Sequence, residues 1–172
     1  MLKKVAVLMG SLSDHPSLEK AFTLLEELEI PYEARVCSAH RSPERTAEFA
    51  ESAEREGFGV LIAAAGMAAH LAGALAARTL LPVIGVPVQS GGLGGLDALL
   101  ATVQMPSGFP VATVAVGGAG NAALLAAQIL SLGDADLRER LAAHRQKVRE
   151  KADAADAELR HAKENGTCWM PF

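Results

Sequence analysis

Five short apolar runs, each ending in a small or glycine-rich loop and followed by a segment of helical spacing, constrain this chain most. The first, Lys4 to Met9, is nearly continuous in apolar residues and stops at Gly10. A strand covered on both faces reads this way, because neither face meets water. Tyr32–Cys37, Val60–Ala64, Val83–Val86 and Val111–Val116 are strand candidates of the same kind. Between the first two, residues 16–29 place Leu18, Ala21, Phe22, Leu25 and Leu28 at helical spacing. Pro16 suits the first turn of that helix, where a missing N–H costs nothing. Pro43 opens a second helix with Glu44 in its first turn, and Gly57 ends it. Further helices are expected near 68–78, 95–104 and 121–132. Strands alternating with helices imply parallel pairing, and right-handed crossovers then cover both faces of the sheet. The expected fold is α/β: a three-layer α/β/α sandwich on a parallel five-stranded sheet.

The remaining bulk properties fit that architecture. Apolar residues make up 50% of the 172, yet aromatics only 4%, so the core must be built from Ala, Val, Leu and Ile. Val60–Ala77 is long and uncharged, but Gly66, Gly73 and His70 break it into strand, loop and helix rather than a membrane span. Met1 leads through Leu2-Lys3-Lys4 into an apolar run too short for a signal peptide. A net charge of −4 excludes a general nucleic-acid binder, which needs clustered Lys and Arg. Cys37 and Cys168 are too few and too far apart for a metal site or a disulfide framework, so reduced thiols in the cytoplasm are expected. From Asp134 to about Asn165 the chain is polar and Ala-rich, without Gly or Pro. This predicts a long helix whose sparse apolar stripe (Leu137, Leu141, Val148, Leu159) packs on another subunit, the alternative being a frayed, solvated tail. Residues 1–133 are then the α/β body and 134–172 its C-terminal helix and tail, in one structural domain.

Ligands of open parallel sheets bind beyond the carboxyl ends of the strands. Gly10–Asp14, Ser38–Pro43, Ala65–His70, Pro87–Gly92 and Gly117–Asn121 occupy those ends. The Ser11 and Ser13 hydroxyls suit an oxyanion or phosphate and Asp14 suits sugar hydroxyls, or Ser13 or Asp14 simply caps the next helix. Ser38, His40 and Arg41 combine a hydroxyl, an imidazole and a guanidinium within four residues. Arg can hold a phosphate bidentately, and His can move a proton near neutral pH. His70 reads either as a core histidine or as a pocket wall. Gly91–Gly95 is not a dinucleotide fingerprint, lacking the first-turn position and the acidic residue downstream, and reads as a loop that closes over a pocket. Neither a Gly-x-Ser-x-Gly elbow nor metal-ligand spacing is present.

These motifs, in this order, resemble the class I N5-carboxyaminoimidazole ribonucleotide mutases. The resemblance rests on Met9-Gly10-Ser11-x-Ser13-Asp14, Ser38-Ala39-His40-Arg41-Ser42-Pro43, Ala68-Ala69-His70-Leu71, Pro82–Val88, Gly95-Leu96-Asp97, Gln104–Thr113 and Asn121–Ala126. It implies a flavodoxin-like sandwich and conversion of N5-carboxyaminoimidazole ribonucleotide to its 4-carboxy isomer in purine (IMP) biosynthesis. The implied reaction needs no metal and no organic cofactor. It implies His40 as general acid/base, Ser38 and Arg41 near the phosphate, Asp14 near the ribose, and Ser11 and His70 lining the site. It also implies a cytoplasmic homo-octamer acting on a small ribonucleotide, with no membrane or nucleic-acid partner. Two alternatives share these residues: a class II enzyme carboxylating aminoimidazole ribonucleotide with CO2, and a non-catalytic nucleotide-binding module. The chain departs from the family at Ala64 and Met67, usually Gly, at Ala72, usually Pro, and at Ala98, usually Ser.

Overall fold

A computed structural model describes residues 2–164, with side chains through His161. Cys168 and the tail from 165 onward lie outside the described residues. The elements run β1 (Lys4–Met9), α1 (Glu19–Glu27), β2 (Tyr32–Val36), α2 (Pro43–Ser52), β3 (Phe58–Gly66), α3 (Leu71–Ala76), β4 (Val83–Val88), α4 (Leu96–Val103), β5 (Ala112–Thr113), α5 (Ala119–Leu130) and α6 (Ala135–Glu164). All strand pairs are parallel, in the order β2-β1-β3-β4-β5. This is the flavodoxin-like arrangement, and its order reverses between β1 and β3.

The alternation of side chains along each strand divides the core in two. Val5, Val7, Met9, Val60, Ile62, Ile84 and Val86 face α1, α5 and the start of α6. Ala6, Leu8, Leu61, Ala63 and Val83 face the layer that holds α2 and α3. Burying each Val, Leu or Ile stabilises the fold by about 1.5–3 kcal/mol. The small residues set how closely a helix can lie. A Cβ on Gly85 in β4 would come within 2.4 Å of Thr102 Cγ2 and 3.0 Å of Val111 Cγ1. Thr102 and Val111 are β-branched and have few alternative rotamers. Gly85→Ala is therefore expected to destabilise the protein by about 1–3 kcal/mol, the usual cost of overpacking. Denaturant midpoints of the two proteins measure it.

Two elements differ from the sequence expectations, and a third agrees with them. The helix expected from 16 begins as a 3-10 turn over Leu12–Leu18 and becomes α-helical only at Glu19. Pro16 lies inside that turn and has no N–H to continue an α-helical ladder. Leu18, Ala21, Leu25 and Leu28 are nevertheless buried as their spacing predicts. The strand expected over Val111–Val116 is only Ala112–Thr113. Gly85 and Pro87 point their carbonyls toward this strand, accepting from Val114 N (3.1 Å) and Gly117 N (2.9 Å). Residues so oriented also aim their backbone nitrogens there, and Pro87 has no N–H to donate. The pairing stops where that donor is missing. The run Val60–Ala77, long enough to raise a membrane span, is β3, a turn and α3. Among the described residues no helix is long and apolar enough to cross a membrane.

α6 has 30 residues, about 45 Å at 1.5 Å per residue. Its first turns are anchored: Leu137 and Leu141 are buried with α5, and Arg140 Nε donates to Leu28 O at 2.8 Å. Val148 and Leu159 are exposed.

Candidate active site

The strand-order reversal leaves a cavity of about 370 Å³, lined from the ends of β1, β2, β3 and β4. It brings together all six residues singled out from the sequence: Ser11, Asp14, Ser38, His40, Arg41 and His70. Clefts of about 530 and 830 Å³ lie along α2 and at the start of β4, but neither combines serine hydroxyl, imidazole and guanidinium. The fifth loop does not join the site. Asn121 lines a separate cleft with Leu141 and His144, between α5 and α6.

The β1 loop is held by a reciprocal cap. Ser11 Oγ accepts from Ser13 N at 3.4 Å and from Ser13 Oγ at 2.9 Å, while Asp14 Oδ2 accepts from Ser11 N at 3.0 Å. The cap expected of Ser13 or Asp14 is made by Ser11, with Asp14 closing it from the other side, and all three residues also line the cavity. The β2 loop is equally tied. Cys37 N donates to Met9 O at 2.8 Å, and Ser42 N to Ser38 O at 2.9 Å. Arg41 then joins the two loops: Nη2 donates to Gly10 O at 2.8 Å and Nε to Ser38 Oγ at 3.2 Å. These contacts fix the plane of an exposed guanidinium and leave its remaining N–H groups for an anion.

Burial holds the Asp14 carboxyl above the usual carboxylate range, opposed by the Ser11 backbone hydrogen bond and, to a lesser degree, the Arg41 charge. His40 and His70 stand with ring centroids 5.5 Å apart. Both are exposed, so the core reading of His70 fails: it immediately precedes α3, without a side-chain bond to the helix end, and lines the cavity. His40 has no hydrogen-bond partner among the described residues, so its ring nitrogens are open to a ligand. No group of three or more His, Cys, Asp or Glu with metal-binding geometry occurs among the described residues.

The wall contributed by β3 is built from small residues, Ala65, Gly66 and Ala68, with Met67 among them. A Cβ on Gly66 would lie 2.0 Å from Ser90 Oγ, so only glycine lets β4's end approach here. Ser90 is the cavity residue that no motif marks; its signal is its place at the end of β4. Its Oγ is buried with no hydrogen-bond partner among the described residues, a cost of about 1–3 kcal/mol. Of the four departures from the family pattern, Ala64, Ala72 and Ala98 are buried small residues. Met67 is different: it is 61% exposed, at φ 55°.

Comparison with known proteins agrees with this architecture. Residues 4–151 match the model of a family described as AIR carboxylase. An N5-carboxyaminoimidazole ribonucleotide mutase of Pyrococcus abyssi is 53% identical over 148 residues, covering 86% of this chain and 85% of that protein. The Escherichia coli K12 enzyme of the same name is 54% identical over 140 residues, covering 80% and 83%. The crystal structure of Treponema denticola PurE superposes with a TM-score of 0.80 at 31% identity, covering 90% of this chain and 97% of that one. With a parallel sheet of the same kind, a cavity at its reversal point and a family match over most of its length, the chain belongs to the AIR carboxylase family.

Proposed function

We propose that the protein is an isomerase converting N5-carboxyaminoimidazole ribonucleotide to 4-carboxyaminoimidazole ribonucleotide in purine biosynthesis. One observation carries the reading: an exposed His40, without a hydrogen-bond partner among the described residues, is in ring contact with His70 at a cavity where Arg41 is already oriented. Arg41 and Ser38 hold the phosphate, Asp14 accepts from ribose hydroxyls, and Ser11 and His70 complete the wall. The carboxyl carbon's bond to N5 breaks, its electron pair stays on nitrogen, and His40 delivers a proton there. The released CO2 is attacked by C4, forming the new C–C bond, and C4 then returns a proton to His40. Atoms and protons balance, so one group serves both steps and no metal or organic cofactor is assigned a role.

CO2 must stay in the pocket between the two steps. Gly91, Gly92 and Gly94 stand in open space, with positive φ at Gly91, Gly94 and Gly95. This loop closes over the bound nucleotide. The enzyme works in the cytoplasm as a homo-octamer, in which the exposed part of α6 packs on a neighbouring copy. A monomer found by light scattering at working concentration would refute that assembly.

Conversion is followed by ultraviolet absorbance with the N5-carboxy substrate, without ATP or bicarbonate. Turnover is expected. Turnover of aminoimidazole ribonucleotide only on addition of CO2 would assign the class II reaction instead, and binding without conversion of either would leave a nucleotide-binding module.

A further inference from the structure

The substrate of the proposed reaction carries two anionic groups, a phosphate and a carboxylate, yet Arg41 is the only Lys or Arg that lines the cavity among the described residues. Arg41 and Ser38 are assigned to the phosphate, so the carboxylate must be met by neutral donors. Four serines line the cavity, and three of their hydroxyls already take part in hydrogen bonds. Ser13 Oγ donates to Ser11 Oγ, and Ser38 Oγ accepts from Arg41 N and Nε. Ser90 Oγ alone among the four has no partner among the described residues. Asp97 Oδ1 is also buried and unpartnered there, but it belongs to the first turn of α4 and does not line the cavity. Ser90 Oγ rests against Gly66, 2.0 Å from where a Cβ would stand. A single turn about χ1 carries it to another staggered position without moving the backbone.

We infer that Ser90 donates its O–H to the substrate's carboxylate and so distinguishes carboxylated nucleotides from aminoimidazole ribonucleotide. This rests on the isomerase reading above. The strand order supports it. Ser38 and Arg41 follow β2, Asp14 follows β1, Gly66 ends β3 and Ser90 follows β4, and these strands lie side by side in the order β2-β1-β3-β4. With the phosphate over β2 and the ribose over β1, the imidazole lies over β3 and its carboxyl-bearing edge reaches toward β4. A neutral donor also suits the chemistry. The carboxylate must leave as uncharged CO2, and a cation beside it would stabilise the starting anion more than the transition state. A hydroxyl orients the group through a weaker bond than a cation makes.

The test measures equilibrium binding of the 4-carboxy product and of aminoimidazole ribonucleotide to wild type and Ser90→Ala. Melting temperatures and wild-type turnover of the N5-carboxy substrate are read beside it. Ser90→Ala is expected to weaken binding of the 4-carboxy product by about 10-fold or more, as loss of a hydrogen bond to a charged group does. Affinity for aminoimidazole ribonucleotide, which has no carboxylate to lose, should change by less than about twofold on the same scale. The melting temperature of Ser90→Ala should equal or exceed that of wild type, because alanine leaves no buried hydroxyl without a partner. With wild type converting substrate, equal losses for both nucleotides, no loss for either, or a lower melting temperature would overturn the Ser90 assignment alone. A wild type that leaves the N5-carboxy substrate unchanged would overturn the isomerase reading and the Ser90 assignment with it.

Discussion

Replacing His40 with Asn is expected to lower turnover by about 10²–10⁴-fold, the range that a positioned acid/base contributes. Asn keeps a polar planar group of similar reach but cannot shuttle a proton. His40 is exposed, makes no hydrogen bond among the described residues and touches His70 through its ring. Its loss should therefore change stability by no more than about 0.5 kcal/mol. Nucleotide affinity should also hold, because the phosphate contacts are assigned to Arg41 and Ser38. The expected signature is a collapse of kcat with little change in Kd. Rapid-mixing turnover beside equilibrium binding of the 4-carboxy product measures both. Wild-type rates in His40→Asn would end the acid/base assignment.

Much of this was legible in the sequence, for identifiable reasons. β1, β3 and β4 read as continuous apolar runs because both their faces are covered. The strand-end rule then placed Ser11, Asp14, Ser38, His40, Arg41 and His70 on one edge, and the structure gathers all of them at one cavity. What escaped depends on pairing rather than pattern. The apolar run at 111–116 carries no sign that its neighbour lacks a donor; Pro87 shortens β5 from the adjacent strand. His70 read either as a core residue or as a pocket wall because its sequence neighbours are apolar, and only the turn before α3, which leaves it exposed at the cavity, decides between them. Ser90 belongs to no motif, and only the absence of a Cβ on Gly66 admits it. Met67 was legible as a departure from the family pattern, whereas its positive φ depends on the turn that follows β3.

Arg41→Ala is expected to weaken ribonucleotide binding by about 10–100-fold, on the scale of 1.5–3 kcal/mol for hydrogen bonds to a charged group. The guanidinium does two things at once, and the variant can separate them. It is assigned to the substrate phosphate, and it ties the β1 loop to the β2 loop through Gly10 O and Ser38 Oγ. If the phosphate contact dominates, the penalty should vanish for the corresponding nucleoside, which has no phosphate to lose. If loop tying dominates, nucleotide and nucleoside should suffer alike. A second consequence follows from Asp14. Its carboxyl already titrates above the usual range because burial outweighs the Ser11 hydrogen bond and the Arg41 charge. The ionised form is the one that accepts from Ser11 N and that the proposed ribose contact requires, so binding is expected to fade as pH falls through that raised pKa. Arg41 is one of the influences pulling the pKa back down. Without it the carboxyl rises further, and the acidic limb of kcat/KM should move to higher pH than in wild type. Unchanged affinity in Arg41→Ala would refute the phosphate role. An acidic limb that stays in place would show that Asp14 ionisation does not govern that limb.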